Sequence, residues 1–100
     1  MHVISKAPLK LFWEKHPKAK EPLEAWFKLI GGCNAGNFVE LKRTFGSADY
    51  VPGFTVFDVA GNNLRLITVI HYNRQKLYVR HVFTHAEYDE WNPLQKGGKK

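Results

Sequence analysis

The stretch FTVFDVAGNNLRLITVIHYNRQKLYVRHVFT, Phe54 to Thr84, decides the fold. Three runs rich in β-branched and aromatic residues, Phe54 to Val59, Leu64 to Tyr72 and Leu77 to Thr84, suit the pleated surface of a sheet. Gly61-Asn62-Asn63 and Asn73-Arg74-Gln75 are hairpin connectors, because Gly and Asn tolerate positive φ. Three antiparallel strands in a meander follow. In the middle run Arg65, Ile67, Val69 and His71 share one face, and Leu64, Leu66, Thr68 and Ile70 share the other. In the third, Tyr78, Arg80, Val82 and Thr84 oppose Val79, His81 and Phe83. Neither face is plainly polar, so the alternation leaves open which one the helices cover.

Upstream of the sheet the hydrophobic period changes. Met1 to Ile4 reads as a short strand and Ser5 as an N-cap. Leu9, Phe12, Trp13 and His16 fall at i, i+3, i+4 and i+7, one face of a helix that Pro17 stops. Leu23, Trp26, Phe27 and Ile30 repeat the spacing after Pro22, until Gly31 and Gly32. These two amphipathic helices form a hairpin, and Trp13 and Trp26 on their apolar stripes read as core. Cys33 to Gly36 is loop. Asn37 and Glu40 resemble a capping box before Phe38, Leu41 and Phe45, which predicts one or two further helical turns carrying Lys42 and Arg43. Gly46 to Gly53 is turn-rich and predicts no regular element. Downstream, Thr84 and Glu87 form a second capping box opening a short helix, His85 to Trp91, which Asn92-Pro93 ends. Residues 1–92 thus read as a single α+β domain, with two N-terminal helices on a small antiparallel sheet and a short C-terminal helix. Residues 93–100 read as a mobile basic tail.

The 100 residues fit one small domain and exclude a two-domain cofactor enzyme. With 44% hydrophobic and 24% charged residues, the composition is that of a folding chain. A lone Cys33 closes no internal disulfide and completes no zinc motif, which points to a reduced, intracellular protein. The N-terminus has no signal-peptide pattern and no apolar run approaches the ~20 residues of a membrane span, so the expected location is the cytoplasm. Fifteen Lys and Arg against nine Asp and Glu leave a net charge of +6, which attracts polyanions. The surplus is spread over both ends of the chain, and exposed lysines are often no more than solvated surface.

The arginines carry more information. Arg43, Arg65, Arg74 and Arg80 all lie in the second half, and a guanidinium inside a strand needs a partner or a solvent-facing groove. Arg65 and Arg80 therefore suit a phosphate-binding sheet face, or else pair structurally with Asp58 or Glu40. His71, His81 and His85 cluster in sequence, and imidazole is the side chain best suited to giving and taking protons near neutrality. His81 between Val79 and Phe83 also suits a hydrogen-bonded, partly buried histidine. The His81/His85 spacing would suit a metal only on one helix, and a strand end falls between them, so no metal site is expected. His85 sits at a strand-to-helix junction with Tyr88 three residues on, on the same helical face, where the two can meet a substrate phosphate. GxSxG, P-loop and GxGxxG patterns are missing from the sequence, and Cys33 has no neighbouring base.

FTVFDVAGNNLRLI (54–67) followed by YVRHVFTHAEYD (78–89) closely resembles the HigB family of toxins from bacterial type II toxin–antitoxin systems. The opening Met1 to Ser5 and the Leu9 to Trp13 helix resemble the family too, so the likeness runs to about Trp91. Thr-His-x-Glu-Tyr-Asp is its most specific element, and the arginine within Asn-x-x-Arg-Leu-Ile supports it. The resemblance implies a RelE-like fold and an mRNA interferase: an endoribonuclease, without a metal or other cofactor, that cuts messenger RNA at the ribosome. It also implies a HigA-like helix-turn-helix antitoxin as partner, with DNA bound only through that antitoxin, and no membrane. RNA cleavage without a metal needs a base for the 2′-hydroxyl, a cation for the phosphorane and an acid for the departing 5′ oxygen. On this reading His85 is the acid or base, Tyr88 bonds or stacks at the scissile nucleotide, and Arg65 with Arg80 grips phosphate. Lys42, Arg43, Arg74, His71 and His81 are expected RNA contacts. The alternative is a module that binds RNA or the ribosome and blocks translation without cutting; a basic face meeting an acidic protein partner is a third reading.

Overall fold

The computed structural model describes residues 1–61 and 63–95, with side chains through Trp91. Its centre is a five-stranded sheet in the order β1-β5-β4-β3-β2, built from His2–Val3 (β1), Asp49–Val51 (β2), Phe54–Val59 (β3), Leu64–His71 (β4) and Lys76–Thr84 (β5). The expected meander is β3, β4 and β5, paired antiparallel throughout. Two edges extend it. β1 runs parallel to β5, His2 opposite Lys76 and Val3 opposite Leu77, so the sheet is mixed where a purely antiparallel one was expected. β2 arises inside the stretch expected to hold no regular element. Its turn residues are themselves the reason: Pro52-Gly53 is a two-residue connector between paired Val51 and Phe54, and Gly53 supplies the positive φ of 89° that the turn requires.

The helical hairpin forms as its stripes dictate. α1 (Ala7–Lys15) and α2 (Lys20–Gly31) are joined by a 3-10 turn at Pro17–Ala19. The residue capping α1 is Lys6, not Ser5, whose hydroxyl nevertheless accepts from the Ala7 N–H at 3.3 Å. Leu9, Leu23, Trp26 and Ile30 are buried, with Phe12, Trp13 and Phe27 packed against them. Their counterparts on the sheet are Phe57, Val59, Leu64, Leu66, Leu77 and Val79, which settles which face the hairpin covers. Phe57 is the hub, edge-on to Trp26 at 5.3 Å and to Phe45 at 5.0 Å. α3 (Phe38–Thr44) is capped as expected: Asn37 Oδ1 accepts from the Glu40 N–H at 2.9 Å.

α4 (His85–Gln95) lies against β4 and β5, on the other side of the sheet from the hairpin. Its capping box is reciprocal, with Glu87 N–H donating to Thr84 Oγ1 at 3.2 Å and Thr84 N–H to Glu87 Oε1 at 2.9 Å. The helix continues past Asn92-Pro93, where the sequence pattern ended it, to Gln95. A proline this close to a C-terminus forfeits one N–H bond without breaking many turns. Of the expected basic tail, residues 96–100 lie outside the described residues. Val56 and Ile67 alternate with the hairpin-facing residues and are also almost fully buried, so both faces of the sheet are covered at its centre.

One further departure re-aims side chains. Ile67 pairs with His81 but Thr68 pairs with Val79, which leaves Arg80 as the extra residue of a β-bulge. Strict alternation would put His81 and Phe83 on the face of buried Val79. After the bulge it is Val82 that packs against the hairpin core, and His81 and Phe83 turn to the α4 side.

Candidate active site

Arg65 stands near the start of β4, on the α4 face, with Asp58 of β3 and Phe83 of β5 directly opposite on either side. Residues opposite one another in a ladder project to the same face, so a half-buried acid and an arginine set at these positions are placed to meet. They do. Arg65 Nε bonds Asp58 Oδ1 at 3.0 Å, with side chains only 11% and 19% exposed. Nη1 donates to the Leu64 carbonyl at 3.3 Å, Nη2 contacts His85 Nδ1 at 3.2 Å, and the guanidinium lies 5.5 Å from the centre of the Tyr88 ring. Of the two expectations for Arg65, the pairing with Asp58 is formed: the carboxylate holds one edge of the guanidinium, and the other edge faces His85.

α4 delivers the remaining groups. His85 opens it, fixed by its backbone N–H to the Asn63 carbonyl at 3.0 Å. One turn on, Asp89 Oδ2 lies 3.2 Å from His85 Nε2. Arginine only donates, so the Arg65 contact requires a lone pair at His85 Nδ1 and leaves the ring proton on Nε2, where Asp89 accepts it. The imidazole is thus set in one tautomer, and both its side chain and that of Asp89 are more than half exposed. Burial pushes the Tyr88 phenol above its ordinary value, with Asp49 adding to the rise and Arg65 opposing it, so it is a protonated donor at neutral pH. Burial likewise raises the Asp58 carboxyl from its usual value, and Arg65 pulls it back only in part.

The expected residues divide. Arg65, His85 and Tyr88 come together. Arg80 does not join them: it is exposed at the bulge, its guanidinium 5.5 Å from the Tyr78 ring. His81 is also exposed and stacks on Phe83 at 4.9 Å, so it is not the partly buried histidine its neighbours suggested. His71 ends β4, ~20 Å along the strand from Arg65 at roughly 3.3 Å per residue, and packs edge-on to Tyr78 at 5.5 Å. Arg74 follows on the next turn and lines a cavity of about 510 Å³ with Met1, His2 and Phe27. Lys42 and Arg43 are exposed on the last turn of α3. Asp89, the last residue of the Thr-His-x-Glu-Tyr-Asp element, was given no role by sequence, although its i, i+4 spacing from His85 was the signal available. Among the described residues no three His, Cys, Asp or Glu side chains gather to hold a metal ion, and no helix is long and apolar enough to cross a membrane.

A guanidinium anchored from behind and a histidine of fixed tautomer, on one face of a small α+β domain, form a cluster whose chemistry suits phosphate ligands. Residues 19–91 match the family described as HigB_toxin, the RelE-like toxic component of a toxin-antitoxin system. The chain is 34% identical over 103 residues to "mRNA interferase HigB" of Escherichia coli O6:H1, and 36% identical over 104 residues to "mRNA interferase toxin HigB" of Escherichia coli K12. "mRNA interferase HigB" of Shigella flexneri is also 36% identical, and each comparison covers both chains completely. The chain belongs to the HigB toxin family.

Proposed function

We propose that this chain is the toxin of a type II toxin–antitoxin system, an endoribonuclease that cleaves messenger RNA in the cytoplasm, and that Arg65, His85 and Tyr88 carry the reaction. The observation that supports these residues is the contact between Arg65 Nη2 and His85 Nδ1, a cation and a lone pair facing each other across 3.2 Å. An RNA phosphate entering there takes Arg65 as its partner and releases Nδ1 from the guanidinium. Nδ1 then accepts the 2′-hydroxyl proton as the 2′ oxygen bonds to phosphorus, and Asp89 stabilises the imidazolium that forms. Arg65, held by Asp58, stabilises the charge on the phosphorane. Tyr88, kept protonated by its burial, donates toward the departing 5′ oxygen. The bond from phosphorus to that oxygen breaks, leaving a 2′,3′-cyclic phosphate and a 5′-hydroxyl. Arg80 serves phosphate binding at a distance from this group, and Lys42, Arg43, Arg74 and His71 contribute general attraction to RNA.

The net charge of +6 suits action on the ribosome, a dense phosphate surface, and also suits neutralisation by a HigA-like helix-turn-helix antitoxin, through which alone DNA is bound. The test is to map messenger 5′ ends in a translating extract, with wild-type chain and with His85→Ala. New 5′-hydroxyl ends with wild type, lost with His85→Ala, are expected. Translation arrest without new ends identifies a binding inhibitor instead, and full cleavage by His85→Ala removes His85 from the reaction.

A further inference from the structure

The bulge at Arg80 turns β5 into a strip of flat and cationic side chains on the α4 face. His71 and Tyr78 meet at one end, with Arg80 over Tyr78. His81 follows, exposed and stacked on Phe83 with their rings 10° from parallel, and Trp91 of α4 lies 6.0 Å from His81 and 5.8 Å from Phe83. Phe83 is the cross-strand partner of Arg65, so the strip runs directly into the candidate active site. Trp91 also touches Tyr88 at 6.0 Å and Phe54 at 5.4 Å, which fixes the platform from below. Without the bulge His81 and Phe83 would face the hairpin core, where an imidazole has no partner; with it His81 is exposed and Phe83 lies half-buried on the α4 face.

We propose that the Arg80–His81–Phe83 strip is a subsite for single-stranded RNA, in which a base stacks on the His81/Phe83 platform and Arg80 holds the phosphate of a nucleotide adjoining the one cleaved at Arg65 and His85. The proposal rests on the endoribonuclease reading but concerns binding, not bond-breaking. Parallel aromatic rings beside a cation are what single-stranded nucleic acids require, since every base has a stacking face and every nucleotide a charge. Arg80 lies three residues before Phe83, the cross-strand partner of Arg65, a span of ~7–10 Å along β5 with its bulge, within reach of a neighbouring nucleotide. A protein partner would have to desolvate Arg80, whose contact among the described residues is the Tyr78 ring.

The probe is a fluorescent 2′-O-methyl RNA oligonucleotide, which lacks the attacking hydroxyl and reads binding independently of cleavage. Anisotropy at low salt is expected to show His81→Ala weakening binding by about 5- to 100-fold, with His81→Phe restoring it, since stacking survives that change. Arg80→Ala is expected to reduce the slope of log affinity against log salt by about one. Circular dichroism and melting of each variant confirm folding, and both positions are exposed. If cleavage fails but binding depends on His81, the nuclease reading falls and the subsite stands. If binding is indifferent to both residues, or if His81→Ala loses only antitoxin binding, the subsite is refuted whether or not the chain cleaves RNA.

Discussion

The two faces of one sheet have been put to opposite uses. Toward the hairpin the strands present Phe57, Leu66, Leu77 and Val79, closed over by Leu9, Leu23 and Ile30 into an apolar interior. Toward α4 the same strands present Asp58, Arg65, His81 and Phe83, with only Val56 and Ile67 fully buried between them. Neighbouring residues on one strand, Arg65 and Leu66, thus face a charged cluster and an apolar core. The difference teaches that the hairpin supplies the stability on which a charged, half-covered face can be carried. An arginine only 11% exposed costs desolvation that a domain with one thin core on each side would struggle to offset.

Changes on the two faces should therefore separate stability from activity. Leu66→Ala empties a fully buried site on the hairpin face and is expected to cost about 2–5 kcal/mol of unfolding free energy by urea titration, with cleavage per folded molecule retained. Loss of cleavage in the fraction still folded would break the division. Arg65→Lys keeps the charge but loses the fork that holds Asp58 and His85 together, and a roughly 10²–10³-fold fall in cleavage rate is expected, comparable to loss of one donor at a developing oxyanion. Asp89→Asn leaves His85 in place but weakens the acceptor for its Nε2 proton. A fall in kcat of about tenfold, equivalent to roughly 1.4 kcal/mol, with little change in KM and partial rescue by Asp89→Glu, is expected. The smallest effect is on pH. Because burial raises the Asp58 carboxyl, the folded chain binds that proton more readily than the unfolded one, so this group's contribution to stability grows as pH falls through its raised value toward the ordinary ~3.9. Urea titrations of wild type and Asp58→Asn should show the wild type gaining relative stability on acidification; a gain on raising the pH would reverse the sign.

How much of this was legible in the sequence depends on the range of the interactions involved. Both capping boxes, at Asn37/Glu40 and Thr84/Glu87, are contained within four residues and were read correctly, as were the helical stripes and the three-strand meander. β1 escaped as a parallel partner because its pairing with Lys76 and Leu77 is long-range, and β2 because Pro52-Gly53 reads as a loop until a strand is known on each side. The site followed the same rule. Arg65, His85 and Tyr88 stand out through a motif and a helical spacing, and they converge. Arg80 was set beside Arg65 as a second strand arginine and His81 was read from its alternation with Val79 and Phe83, and a single bulged residue, for which the sequence carries no local sign, reversed the faces beyond it.

The central claim is that Arg65 and His85 act as one unit across their 3.2 Å contact. A double-mutant cycle on messenger cleavage tests it directly, using Arg65→Lys, His85→Ala and the pair in the same translating extract. Groups that act together fail together, so the double variant is expected to cleave within about threefold of the slower single variant. A double variant whose defect equals the product of the two single defects would show the residues working independently and contradict the account.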